Sequence, residues 1–160
     1  MLIQQNVNGS NFFNRSWEEF KVGFNDSRGN YWLGNELLHQ LTVKKPYKLR
    51  FDLLERNDSW YYAEYSTFVV FSEAFNYKKQ VSGYSGNAGD SFSYTNNMMF
   101  TTYDHDNDSH PRNCAVLNGG GFWYKLCSLA NVNTVRGRAD DFGWSRRRIS
   151  LQSTRMWLMC

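Results

Sequence analysis

Over residues 47–53 apolar and charged side chains alternate: Tyr47, Leu49, Phe51 and Leu53 are separated by Lys48, Arg50 and Asp52. Successive side chains of a strand point to opposite faces, so this period of two predicts a strand with one buried and one wet face. Asn57-Asp58-Ser59 follows with turn chemistry, and the runs 60–71 and 77–84 are rich in aromatic and β-branched residues. Residues 47–84 therefore read as an antiparallel meander of three strands, with its tryptophans and tyrosines in the core.

Upstream the period lengthens. Ser16-Trp17-Glu18-Glu19 has the form of a capping box, a hydroxyl for the first free amides and a carboxylate three residues on to reach back. It predicts a helix from Ser16 to about Gly23. Leu37, Leu38 and Leu41, at helical spacing, predict a second short helix over residues 35–41 with these leucines on one face. His39 is expected on the surface or at the helix end. From Ser85 to Asp141 periodicity gives way to Gly, Asn, Asp and Ser. A stretch that long with so little secondary structure calls for a staple, a metal or a disulfide. The pattern as a whole predicts an α+β fold.

Composition narrows the class. The chain has 160 residues, enough for one domain; 18% are aromatic and 21% charged, the reverse of a disordered composition. No apolar run approaches the roughly 18 residues of a spanning helix, which argues against membrane insertion, and the mostly polar start lacks the form of a signal peptide. The net charge of +3 selects no partner. Its distribution is less even: residues 136–155 hold six Arg and two Asp, so +4 lies here and −1 in the rest. Such a segment attracts sulfated glycans or nucleic acid, or is a solvated loop, the plainer reading. Five Asn-x-Ser sequons, at Asn8, Asn14, Asn25, Asn57 and Asn107, lean towards the secretory route.

Two features of the loop region carry chemistry. Asp104, Asp106 and Asp108 alternate, a spacing by which short loops gather oxygen ligands for calcium. An EF-hand is excluded. Counted from Asp104, positions six and twelve are Ser109 and Ala115; counted from Asp106 they are Pro111 and Leu117, where Gly and Glu are required. The alternative is a solvated acidic turn. Cys114 and Cys127, thirteen residues apart across Gly119-Gly120-Gly121, form either a bridge or two free thiols. Cys160 has no evident partner. No nucleophile elbow, zinc-protease motif or phosphate loop is present, so the chain is read as a non-enzyme.

Several longer runs carry a resemblance. They are Val7-Asn8-Gly9-Ser10, then residues 13–24 (FNRSWEEFKVGF), 31–36 (YWLGNE), 82–91 (SGYSGNAGDS) and 100–104 (FTTYD), then Asn113-Cys114-Ala115 and Gly121-Phe122-Trp123-Tyr124. Together they resemble the fibrinogen C-terminal domain family over nearly the whole chain. The resemblance implies an antiparallel β-sheet with short helices, followed by a loop-rich calcium-binding subdomain. It implies Ca²⁺ held by the side chains of Asp106 and Asp108 and the carbonyls of His110 and Arg112, with Asp104 behind them. It also implies a Cys114–Cys127 disulfide and an unused sequon at Asn107, where a glycan would crowd the ion loop.

Lectin-like members such as ficolins and tachylectins bind N-acetyl groups beside this disulfide, where the peptide bond before the second cysteine is typically cis. Here that bond joins Leu126 to Cys127. The implied ligand-binding residues are Phe122, Trp123, Tyr124, Leu126, Cys127, Ser128, Arg138 and Ala139. The sequence departs from the lectin pattern at Ser128, where a histidine is expected, and at Asn118 and Arg138, where tyrosines are common. Two functions follow. The first is a secreted, extracellular recognition module for glycans or acetylated ligands; the alternative is a protein-interaction or matrix-adhesion module of tenascin and angiopoietin type, with no sugar pocket. Nucleic acid is not an expected partner. Relative to the family pattern, residues 1–160 read as a single domain lacking its N-terminal subdomain, and upstream collagen-like or coiled-coil segments would build a homo-oligomer.

Overall fold

The computed structural model describes residues 1–160. In chain order the elements are β1 (Leu2–Asn6), α1 (Trp17–Val22), β2 (Phe24–Asn25), β3 (Tyr31–Trp32), α2 (Asn35–Lys44), β4 (Lys48–Glu55), β5 (Trp60–Val70), β6 (Lys79–Gly86), β7 (Phe100–Thr101), α3 (Cys114–Asn118), β8 (Phe122–Trp123), β9 (Ala130–Asn131), β10 (Gly143–Trp144) and β11 (Ile149–Met159). One large antiparallel sheet runs β2-β3-β1-β11-β4-β5-β6, with β10 and β9 attached beside β11; β7 and β8 form a separate pair.

The meander is present as β4, β5 and β6. Leu49, Phe51 and Leu53 are fully buried, as their alternation requires. Two details differ from the sequence reading. Trp60 is 54% exposed at the hairpin end of β5 rather than in the core, and the third strand starts at Lys79 rather than Tyr77. The Lys79 side chain is fully buried, its Nζ donating to Phe92 O at 2.9 Å.

The α1 cap is complete, Ser16 Oγ accepting from Glu19 N–H while the Glu19 carboxylate accepts from Ser16 N–H. Helix α2 runs on to Lys44, and its buried face is Leu38 and Thr42; Leu37 is 43% exposed. The polar Thr42 is accommodated because its hydroxyl donates to Leu38 O and accepts from Val70 N–H. His39 sits in mid-helix, half-buried, with Nδ1 2.9 Å from Val70 O, and so helps dock α2 on β5.

Strand β11, in the centre of the sheet, was not legible as a strand. Ile149 and Leu151 are buried at odd positions, Thr154, Met156 and Leu158 at even ones. Its pairing with β4 slips between Leu151 and Ser153, and a bulge there carries the inward face from one parity to the other. The period of two is thereby broken in the middle of the strand.

The core joins the sheet to the loop half. Trp123 packs on Trp32, Phe68, Phe92 and Phe100, and its Nε1 donates to Tyr77 O. The glycines before it permit close approach: a Cβ on Gly121 would lie 2.6 Å from the Phe20 ring, and one on Gly120 would strike Asn133 O. In residues 87–144 polar side chains replace the strand ladder. Asn113 caps α3 through Oδ1 and ties Nδ2 to Thr102 O and Tyr103 O, while Asn133 Nδ2 holds Gly121 O.

Candidate functional site

The acidic loop is built on local turns. Asp106 Oδ1 accepts from Asp108 N–H, Asp108 Oδ1 from His110 N–H, and Asp108 Oδ2 reaches on to Cys114 N–H at 2.9 Å, fixing the loop to the start of α3. Burial pushes the Asp108 carboxyl above the usual range, and the neighbouring Asp106 pushes the same way. Neither carboxylate has a Lys or Arg within 4.0 Å. The carbonyls of His110 and Arg112 accept no hydrogen bond within the chain. Two converging carboxylates without a counter-charge and two free carbonyls are the donor chemistry a hard cation takes. No three His, Cys, Asp or Glu side chains converge anywhere, so an ion held here draws its remaining oxygens from carbonyls and water. Asp104 is used otherwise: its Oδ1 accepts from Trp17 N–H at the start of α1 and from Thr102 Oγ1.

Cys114 and Cys127 are bridged, with Cα atoms 5.6 Å apart, and the Leu126–Cys127 peptide bond is cis. The residues expected to line a ligand pocket divide sharply. Phe122, Trp123 and Tyr124 are core side chains, each no more than 1% exposed. They do not offer a pocket wall, because all three are buried, β8 pairs with β7 and the Tyr124 hydroxyl donates to Gly120 O at 2.6 Å. Cys127 is buried by its bridge. Ser128, also buried, closes a tight turn, its Oγ accepting from Ala130 N–H at 3.0 Å. Leu126, Arg138 and Ala139 are exposed.

Of that set only Arg138 lines an open cleft. The cleft, about 330 Å³, is formed by Asn14, Tyr103, Val116, Gly119 and Arg138. Arg138 lies along α3, Nη2 donating to Val116 O at 2.7 Å and Nε to Leu117 O. Val116 is 50% and Tyr103 47% exposed, so two apolar side chains share the cleft with a guanidinium that no carboxylate within 4.0 Å neutralises. The sequence reading marked Asn14 only as a sequon and missed Tyr103, Val116 and Gly119. Only the outward position of Val116 on α3 carried a signal, and that helix is too short for a period to register.

The arginines of 136–155 do not act as one patch. Arg136 binds Asn8 O, Arg146 binds Asp90 O, Arg147 binds Asn87 O and lies over Tyr61, and Arg155 binds Gln5 Oε1. Arg136, Arg146 and Arg147 tie loop backbones, while Arg155 links β11 to its neighbour β1.

A large antiparallel sheet, a bridged loop half and an open cleft beside an acidic loop define a fibrinogen-like globe domain. The family model for the C-terminal globular domain of fibrinogen beta and gamma chains matches residues 1–159, and the chain belongs to that family. It is 37% identical to angiopoietin-related protein 7 of Homo sapiens over 97% of this chain and 48% of the relative. The chain thus spans about half the length of that relative. The fibrinogen-like globe domain of human ANGPTL2 superposes with a TM-score of 0.87 at 36% identity, over 98% of this chain and 78% of that one. Lamprey fibrin D-dimer, solved with the peptide ligand Gly-His-Arg-Pro-amide, superposes at 0.85 and 30% identity, over 98% and 60%.

Proposed function

We propose that this chain is an extracellular protein-interaction module whose contact face is the cleft of Tyr103, Val116 and Arg138, with the Asp106–Arg112 loop beside it held by a structural calcium ion. The observation that carries this reading is the make-up of the cleft: a guanidinium fixed on α3 that shares the cleft with two exposed apolar side chains suits a peptide segment with an acidic group and an apolar neighbour. The burial of Phe122, Trp123 and Tyr124 speaks against the acetyl-binding reading as the resemblance implied it, since those three rings are core and Tyr103 is the one exposed aromatic ring in the cleft. A peptide ligand on the lamprey relative is in keeping with it. The disulfide suits an oxidising, extracellular compartment, and no helix is long and apolar enough to cross a membrane. Calcium would be held by Asp106 and Asp108 with the carbonyls of His110 and Arg112, and its contribution is charge neutralisation and loop rigidity. No chemical step is assigned to the domain.

A displayed peptide library panned against the chain tests the reading. Acidic-apolar sequences should be enriched, lose binding to Arg138→Glu and resist elution by free N-acetylglucosamine. Elution by the sugar, or enrichment insensitive to Arg138, overturns it.

A further inference from the structure

The five sequons differ in their surroundings. Asn107 is half-buried, its Nδ2 donating to Phe100 O at 2.9 Å. Asn8 and Asn57 are exposed in tight turns, each Oδ1 accepting from the N–H of the serine two residues on, and Asn25 lies in β2. Asn14 alone among them lines a cavity. Its side chain is exposed and forms no hydrogen bond, and the wall it shares with Tyr103 and Val116 is apolar. A pyranose has one face of C–H groups that packs on an aromatic ring, while its hydroxyls and acetamide suit a guanidinium.

We propose that Asn14 is an N-glycosylation site whose first sugars lie in the cleft against Tyr103 and Val116 and restrict access to Arg138. In the transfer, Asn14 Nδ2 bonds to the anomeric carbon of the N-acetylglucosamine of a lipid-linked oligosaccharide pyrophosphate. The anomeric carbon–oxygen bond breaks, the lipid pyrophosphate leaves, and one amide proton passes to a base of the transferase. The transferase acts on the extended chain during translocation, so the later use of Ser16 as a helix cap does not oppose it. The glycan makes the cleft a gated surface; that consequence rests on the proposed function, whereas the position of the sugar does not.

The test needs no partner. The 160-residue chain is secreted from mammalian cells with Cys160→Ser and Val116→Cys, and the thiol is labelled with a maleimide-linked polyethylene glycol before and after peptide-N-glycosidase treatment. Mass spectrometry of the Asn14 peptide should reveal the glycan. Labelling should be severalfold faster once the glycan is removed, and Asn14→Gln should label at the fast rate without treatment. Nitration of Tyr103 in the chain without these two changes, followed by mass, gives the same comparison with no substitution in the cleft. An unmodified Asn14 overturns the proposal, as does a glycan whose removal changes neither rate. Failure of the peptide selection alone would touch only the function.

Discussion

The two halves of this domain are held together by different means. Between β4 and β11 the pairing continues from Leu151–Glu55 to Met159–Lys48, so the sheet half rests on a backbone ladder that is nearly indifferent to which side chains face solvent. Residues 87–144 contain only two-residue strands, the five-residue α3 and one 3-10 turn, Phe92–Thr95. There the backbone is satisfied by particular side chains, Asp108, Asn113 and Asn133 among them, and by one disulfide. A surface of varied shape can be built this way, at the cost of dependence on single residues. The acidic loop lies in that half, and so does the cleft apart from Asn14.

The largest test attacks the residue that joins the halves. Trp123→Ala removes a fully buried indole between Trp32 and Phe68 and should cost about 4 kcal/mol, seen in denaturant melts as one transition for both halves. Two separate transitions would show that the halves fold independently. Replacing both Cys114 and Cys127 with Ser should cost about 3 kcal/mol for a loop of this length. Here the comparison sharpens: hydrogen exchange should quicken over residues 108–127 while β4, β5 and β11 keep their protection. Uniform loss would mean that the bridge supports the sheet as much as the loops.

Calcium acts on the same half. At a hundredfold excess over Kd the ion should add about 2.7 kcal/mol, roughly a 5–10 °C rise in Tm that EDTA reverses. Asp106→Ala should abolish the shift. The ion competes with protons for these carboxylates, so the shift should fade on acidification, and earlier than for an ordinary Asp because Asp108 holds its proton more tightly. A Tm unmoved by calcium would leave residues 104–112 a solvated turn.

The sheet half offers a change of opposite sign. Burial pushes the Lys79 ammonium well below its ordinary range, so between the lowered folded pKa and the unfolded one the folded chain binds fewer protons than the unfolded chain. Stability therefore falls as pH drops below the unfolded lysine pKa of about 10.4 towards the folded value. Lys79→Met should stabilise by about 1–2 kcal/mol at neutral pH, the gain shrinking as pH rises towards 10.4. A net loss would mean that the bond to Phe92 O outweighs the desolvation of the amine. The smallest effect is at Glu73, which accepts from Trp17 Nε1 and Lys21 Nζ and is held below the ordinary range, the Trp17 bond first among the causes. Its side chain is 40% exposed, so screening leaves little. Glu73→Gln should cost about 0.5 kcal/mol above the unfolded pKa and nothing once pH has fallen through the folded one.

What could be read in advance follows the same division. Leu49, Phe51 and Leu53 announced β4, and Ser16 with Glu19 announced α1, because both patterns are local and repeat with the geometry of the backbone. Trp60 is expected inside on hydrophobicity, and Leu37 on the face of Leu38 by spacing; their exposure depends on where the hairpin end and the helix face lie relative to the rest of the chain. Strand β11 escaped because its bulge breaks the period, and the compensating partner, β4, is about a hundred residues away in sequence. In the loop half the aromatic run 122–124 gave residue types without a direction, and the direction proved to be inward.

By itself the sequence determined the meander, the first helix, the family and, through the family resemblance, the Cys114–Cys127 bridge. The tertiary structure decided that Phe122, Trp123 and Tyr124 serve the core, that the basic run is dispersed over several anchors, and that Asn14, Tyr103, Val116 and Arg138 share one cleft. The physical reason is range. Strand and helix signals arise from neighbours a few residues apart, whereas a cleft is assembled from segments on opposite sides of the chain's contour, brought together by a core whose packing no local pattern encodes.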